Sequence, residues 1–272
     1  MFAMTDLPDT VPYCHIDAFA DRPFTGNQAA VMPLAAWPDD AVLQSIGEEN
    51  NFAETAFIVP IDSAEADYEL RWFTPVAEVA MCGHATLASG HYVFEQGFSG
   101  DTVRFLTRKA GVLSVSRDGD RLSLSLPALP PEPAVLPDWT ALLGGLPSEC
   151  HVHVGRYNVL LFDHADDVLA LEPDFKALAA LGNHQFICTA PGKDTDVLSR
   201  VFVPGVGIDE DSVTGSSHAV LTPFWAARLG RSSFTAFQAS QRGGLLHCTL
   251  DGDRAVLAGK CFTVVTGTFR LR

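Results

Sequence analysis

Two glycine turns carry the residue types most able to do chemistry. Met81-Cys82-Gly83-His84-Ala85-Thr86 and Val213-Thr214-Gly215-Ser216-Ser217-His218 each open an apolar, helix-like stretch. A helix start leaves backbone N–H groups without intrahelical partners and carries the positive end of the dipole, so it can hold an anion without Lys or Arg. Gly83 and Gly215 permit close backbone approach, Ala85 adds no bulk, and Thr86, Thr214, Ser216 and Ser217 can cap the helix or donate to a ligand. Asp209, Glu210 and Asp211 run into the second turn. Asp211 either caps the following helix or works at the site, while Asp209 and Glu210 read as solvated. Glu54, in "NNFAETAFIVP", leads into an apolar strand. A general base near neutral pH needs a partly desolvated carboxylate and a second polar group to position the substrate. Glu54 with His84 or Asp211 would make such a set.

Weaker signals surround these. Arg242, followed by Gly243 in "QRGG", either meets a substrate anion or anchors a domain interface. "HVH" (151–153) alternates on an expected strand and, lacking a third ligand nearby, reads as a structural pair, not a metal site. "GVG" (205–207) lacks the third Gly and the following helix of a dinucleotide fingerprint. No metal or cofactor is expected.

The elements that must position these residues are written twice. DGDR stands at 118–121 and again at 251–254, an offset of 133, and "RWFTP" (71–75) matches "RVFVP" (200–204) at 129. "GNQAAV" (26–31) falls on "GRYNVL" (155–160) at 129, and "CGHA" (82–85) on "TGSS" (214–217) at 132. An ordered series in register indicates an internal duplication. The expected domains are 12–126, possibly completed by the C-terminal strand, and 151–272, with the Pro-rich 127–150 as linker and entry to the second repeat. Each copy reads as strand-rich with one prominent helix, 84–97 and 217–230, apolar on almost every side and therefore surrounded by sheet. Pro223 predicts a kink, or a helix whose regular part begins near Thr222. The fold class is α+β, each domain a curled, mostly antiparallel sheet around a central helix. Equivalent helix starts facing each other would form a cleft suited to a carboxylate.

Composition narrows the partners. A formal charge of −15 argues against a general nucleic-acid or anionic-membrane surface. The opening "MFAMTDLPDT" shows no signal-peptide pattern, and no apolar run is long enough to span a bilayer. Six scattered cysteines without a C-x-x-C pair suit reduced thiols in a cytoplasm.

The chain resembles the PhzF family of phenazine-biosynthesis-like isomerases, within the diaminopimelate epimerase fold superfamily. The resemblance is carried by "DAFADRPFTGNQAAV" (17–31), "NFAETAF" (51–57), "RWFTPVAEVAMCGHATLASG" (71–90), "DEDSVTGSSHA" (209–219) and "QRGG" (241–244). It implies two similar domains with the active site between them, Glu54 as the proton-transferring acid/base, and His84, Asp211 and Ser216 positioning substrate or assisting. It also implies a proton shift on a small carboxylate-bearing substrate without metal or cofactor, and a homodimer. Family members often carry Pro where this chain has Ser212, which leaves the pose of Asp211 open. Related epimerases use two cysteines; Cys82 matches one position, and Ser212 occupies the other. An amino- or imino-acid epimerase or dehydratase working through Cys82, and a catalytically silent binding protein, stand as alternatives.

Overall fold

The structure is a computed structural model that describes residues 8–272; the first seven positions of the segment read for a signal peptide lie outside the described residues. Among the described residues no helix is long and apolar enough to cross a membrane. The chain divides into two compact units. The first comprises the segment up to Phe24, Gln28–Leu124 and Lys260–Arg272; the second comprises Thr25–Asn27 and Ser125–Gly259.

In the first unit, strand Glu54–Pro60 runs parallel to Asn27–Pro33, with Ala29 opposite Glu54, and antiparallel to Tyr68–Phe73. Tyr68–Phe73 is parallel to Thr102–Thr107, which continues antiparallel into Val112–Asp118. In the second unit, Tyr157–Leu161 runs parallel to Gln185–Pro191, which is antiparallel to Val197–Val203. That strand is parallel to Ser233–Gln238, which continues antiparallel into Gly244–Asp251. The order of pairings is the same in both. Alternation explains the strands: Val103, Phe105, Leu113, Val115, Leu122 and Leu124 are buried, and their neighbours along each strand face outward. Both DGDR segments form two-residue hairpin loops, Asp118 opposite Arg121 and Asp251 opposite Arg254. Gly119 and Gly252 hold φ of +63° and +58°, the left-handed backbone such turns require.

Each unit buries one helix. Gly83–Glu95 packs on strands Thr10–Ala20, Glu54–Pro60 and Val112–Asp118. Contact with the last strand is so close that a Cβ on Gly90 would lie 2.5 Å from Val115 Cγ1. Gly215–Leu229 packs on Tyr157–Leu161 and Gly244–Asp251, and ends on Gly230 in the left-handed region. A third helix, Asp40–Asn50, was not anticipated; Leu43 and Ile46 join it to a core with Phe57 and Phe73.

Pro223 lies inside the regular helix, so the expectation that regularity begins near Thr222 is corrected. Proline removes the N–H that would bond the carbonyl four residues back, Ala219. That carbonyl instead accepts the N–H of Leu129 at 3.0 Å. The donor comes from the Pro-rich stretch, which packs within the second unit rather than running as a bare connector. There Ala128 N–H bonds Asp253 O at 2.8 Å, and Glu132–Ala134 pairs with Glu149–His153. The final strand, Arg254–Arg270, leaves the second unit and pairs from Lys260 onward with Thr10–Ala20 in the first.

Candidate active site

Cys82 is the N-cap of the first buried helix, with extended backbone and no side-chain cap bond. Cys82 at the cap and His84 in the first helical turn bring their side chains into contact, and Glu54 at the head of its strand meets them there. His84 Nε2 stands 3.1 Å from Glu54 Oε2, and Cys82 Sγ lies 3.5 Å from His84 Nδ1. The Glu54 side chain is 16% exposed and that of His84 5%. Burial alone would strip His84 of its proton, but the neighbouring Cys82 sulfur and Glu54 carboxylate outweigh it and hold the ring well above its ordinary value. Burial, reinforced by the Glu54 charge, pushes the Cys82 thiol up to about 11, against smaller opposing effects of His84 and the Ala85 amide. The thiol is therefore un-ionised near neutral pH.

Gly83, Ala85 and Thr86 are all buried. Thr86 was expected to meet substrate, but its hydroxyl donates to Cys82 O at 2.5 Å, inside its own helix. In the second unit His218, four residues after the N-cap as Thr86 is in the first, makes a like contact, its Nδ1 lying 2.9 Å from Thr214 O. Burial lowers His218 to about 4, so it is neutral and donates through Nδ1–H.

The second unit holds Asp211, Ser212, Thr214, Gly215, Ser216, Ser217, Arg242 and Gly243. Thr214 is the N-cap, again extended and without a side-chain cap bond. Its hydroxyl donates instead to Asp211 Oδ2 at 2.5 Å, while Asn27 Nδ2 donates to Asp211 Oδ1 at 2.8 Å and to Val213 O at 2.9 Å. Gln238, fully buried, accepts the Thr214 N–H at 2.9 Å and donates to Asp211 O at 2.7 Å. Asp211 thus does not cap the helix directly; it is the hub of a network that orders the turn. Ser212 lacks proline's fixed φ, yet hydrogen bonds restrain both sides: Asp211 N–H bonds Val201 O at 3.0 Å, and Ser240 Oγ donates to Ser212 O at 2.8 Å.

Ser217 is fully buried with its hydroxyl on Gln185 Oε1 at 2.8 Å, whereas Ser216 is partly exposed and makes longer contacts to Gln185. Arg242 donates to Gly26 O at 2.8 Å and Thr25 O at 3.2 Å, and Gly243 O accepts the Gly26 N–H at 2.6 Å. Both residues therefore hold the segment that presents Asn27. Gly243, at φ +67°, has no room for a Cβ, which would lie 2.7 Å from the Phe237 ring.

Glu210 is corrected. It takes Arg200 in a bidentate pair at 2.8 and 3.0 Å with its side chain 20% exposed, whereas Asp209 is exposed. Arg71 and Glu78 form the same bidentate pair at 2.8 and 2.9 Å. His151 and His153 take separate partners, Glu149 Oε2 and Pro130 O.

Sequence reasoning singled out neither Asn27, Gln185 nor Gln238. Asn27 had a usable signal, a polar residue beside Gly at the head of an apolar strand; the two glutamines had none, since only folding brings them to the turn.

The comparisons agree with this architecture. A family model described as phenazine biosynthesis-like protein matches residues 16–267. A Pseudomonas aeruginosa protein described as an uncharacterized isomerase is 45% identical over 257 residues, covering 94% of this chain and 97% of its own. The crystal structure of a PhzF-family protein from Enterococcus faecalis superposes with a TM-score of 0.90 at 38% identity, covering 96% of this chain and 100% of that one. A hydroxyproline epimerase from Agrobacterium vitis, 15% identical with a TM-score of 0.62 over 97% of this chain and 93% of its own, shares the fold. The chain belongs to the phenazine biosynthesis-like (PhzC-PhzF) family and is an isomerase.

Proposed function

We propose that the chain isomerises a small carboxylate-bearing substrate by moving a proton, in an allylic or 1,5-type hydrogen shift or a related isomerisation, with Glu54 as the shuttle and no cofactor. The observation that carries this is the Glu54–His84 contact at 3.1 Å, with the carboxylate largely withdrawn from water. In the first half-reaction a Glu54 oxygen takes a proton from an allylic carbon, and the C–H electron pair enters the adjacent π system. In the second, the π system takes the same proton back at its far end. A carboxylate suits this because its two oxygens reach different carbons. His84 orients Glu54, and the uncapped N–H groups of each helix start attract carboxylate groups. Asp211 and Ser216 are assigned to substrate positioning.

The test is Glu54→Gln, followed by turnover and solvent-deuterium incorporation on cyclic dienoic and amino-acid-like carboxylates. General acid–base loss should lower the rate about 10²–10⁴-fold; unchanged turnover sinks the reading. The un-ionised state of Cys82 speaks against epimerisation through its thiolate. The withdrawal of Glu54 from solvent speaks against a silent binding protein, for which a fully exposed Glu54 was expected. We also infer that the two units descend from one duplicated segment, supported by the equivalent Arg71–Glu78 and Arg200–Glu210 pairs and by Thr86 and His218. A cytoplasmic homodimer completes the reading, to be checked by light scattering.

A further inference from the structure

Three donors of different chemistry meet at the start of the first buried helix. Cys82 Sγ lies 3.5 and 4.0 Å from the two ring nitrogens of His84, and His84 Nε2 lies 3.1 Å from Glu54 Oε2. One ligand atom from each residue falls within 4.8 Å of the other two. A simple ion pair does not account for the arrangement. Glu54 Oε2 is buried and accepts no aligned hydrogen bond, although the imidazole nitrogen is at hydrogen-bonding distance. Cys82 and His84 are in hydrogen-bonding contact, and the buried Glu54 oxygen beside them is a third donor atom with capacity to spare.

We propose that Glu54, Cys82 and His84 form an open three-donor site for a thiophilic divalent cation of the Zn²⁺ type. Tetrahedral zinc holds sulfur at about 2.3 Å, and nitrogen and oxygen at about 2.0–2.2 Å, which places neighbouring donors about 3.3–3.6 Å apart. With His84 binding through Nε2, its distances of 3.1 Å to Glu54 Oε2 and 4.0 Å to Cys82 Sγ bracket that range, so rotation about side-chain torsions brings the set onto one ion. The mixture of sulfur, nitrogen and oxygen donors selects against Mg²⁺ and Ca²⁺, which demand oxygen ligands. Three protein ligands leave a fourth position for water or a substrate carboxylate. Cys82 enters as thiolate: its S–H proton passes to solvent as the sulfur–metal bond forms, and His84 likewise binds through a deprotonated nitrogen.

The consequence for activity rests on the isomerase reading above. A cation on Glu54 Oε2 withdraws charge from the carboxylate and lowers its basicity toward the substrate proton, so occupancy switches the enzyme off reversibly.

Co²⁺ is the probe. Chelator-treated protein titrated with Co²⁺ should develop a thiolate-to-cobalt charge-transfer band that saturates at one equivalent and disappears on adding EDTA. Cys82→Ser should abolish the band, Glu54→Gln should weaken Co²⁺ binding at least about tenfold, and Cys261→Ser should leave both unchanged. Wild-type protein should also melt at a higher temperature with Zn²⁺, a readout that does not depend on the variants folding. Absence of the band at excess Co²⁺, persistence of the band in Cys82→Ser, or no Zn²⁺ effect on melting overturns the site. Solvent-deuterium exchange measured in EDTA tests the isomerase reading separately, since it needs no metal. Zn²⁺ that accelerates that exchange overturns the inhibitory role.

Discussion

His218 should make the second unit acid-sensitive in a defined window. The imidazole is fully buried, its Nδ1 bonds Thr214 O at 2.9 Å, and its Nε2 has no hydrogen-bond partner. Burial therefore favours the neutral ring and lowers the group from 6.5 to about 4 in the folded chain. The unfolded chain binds the proton first, so the contribution to stability is complete above pH 6.5 and is lost as pH falls toward 4. Each pH unit across that interval is worth about 1.4 kcal/mol, which gives about 2 kcal/mol lost by pH 5 relative to pH 7.5. His218→Thr copies the arrangement of the first buried helix, because Thr86, likewise four residues after its N-cap, bonds Cys82 O without titrating. The variant loses volume and should be less stable at every pH, so the slope and not the level is the measurement. Urea unfolding of both proteins at pH 7.5 and pH 5 should show the wild type losing about 2 kcal/mol more than the variant over the interval. An equal loss in the two proteins would refute the reasoning.

Three further outcomes follow from the packing. Leu129→Pro removes the N–H that satisfies Ala219 O and should cost about 1–3 kcal/mol in unfolding free energy, whereas Leu129→Ala should keep that bond. Gly90→Ala, although it favours helix by propensity, forces a Cβ against Val115 at 2.5 Å and should destabilise the first unit by about 1–3 kcal/mol, read as a lowered Tm. Arg242→Ala should release the Thr25–Gly26 carbonyls and loosen Asn27 from Asp211, so Asn27→Ala in the Arg242→Ala background should add less than it does alone; full additivity in turnover would show that Arg242 acts elsewhere.

Much of the architecture is legible in the residues because it depends on local periodicity. Alternation marked the strands, unbroken apolarity marked the two buried helices, and the DGDR segments marked equivalent hairpins. The helix starts were readable for the same reason, since glycine and small polar residues before an apolar run are a local signal. The short helix Asp40–Asn50 escaped notice because its apolar face is narrow, with only Leu43, Ile46 and Gly47 buried.

What folding alone decided are the partners of individual polar groups. Glu54 and His84 meet because a strand head and a helix start pack together, and neither residue's neighbours in sequence encode that contact. Glu210 looked solvated within its acidic run, but an antiparallel pairing of its strand with Val197–Val203 brings Arg200 to it. Pro223 looked like a helix breaker until a distant N–H was found to satisfy the carbonyl it orphans. Periodicity tells which face of an element is buried, whereas register and packing choose which polar atom stands opposite. The sequence by itself determined the types of chemistry available at the two turns; only the tertiary structure decided that Glu54, Cys82 and His84 share one place, because side chains far apart in the chain are joined by packing that no local pattern specifies.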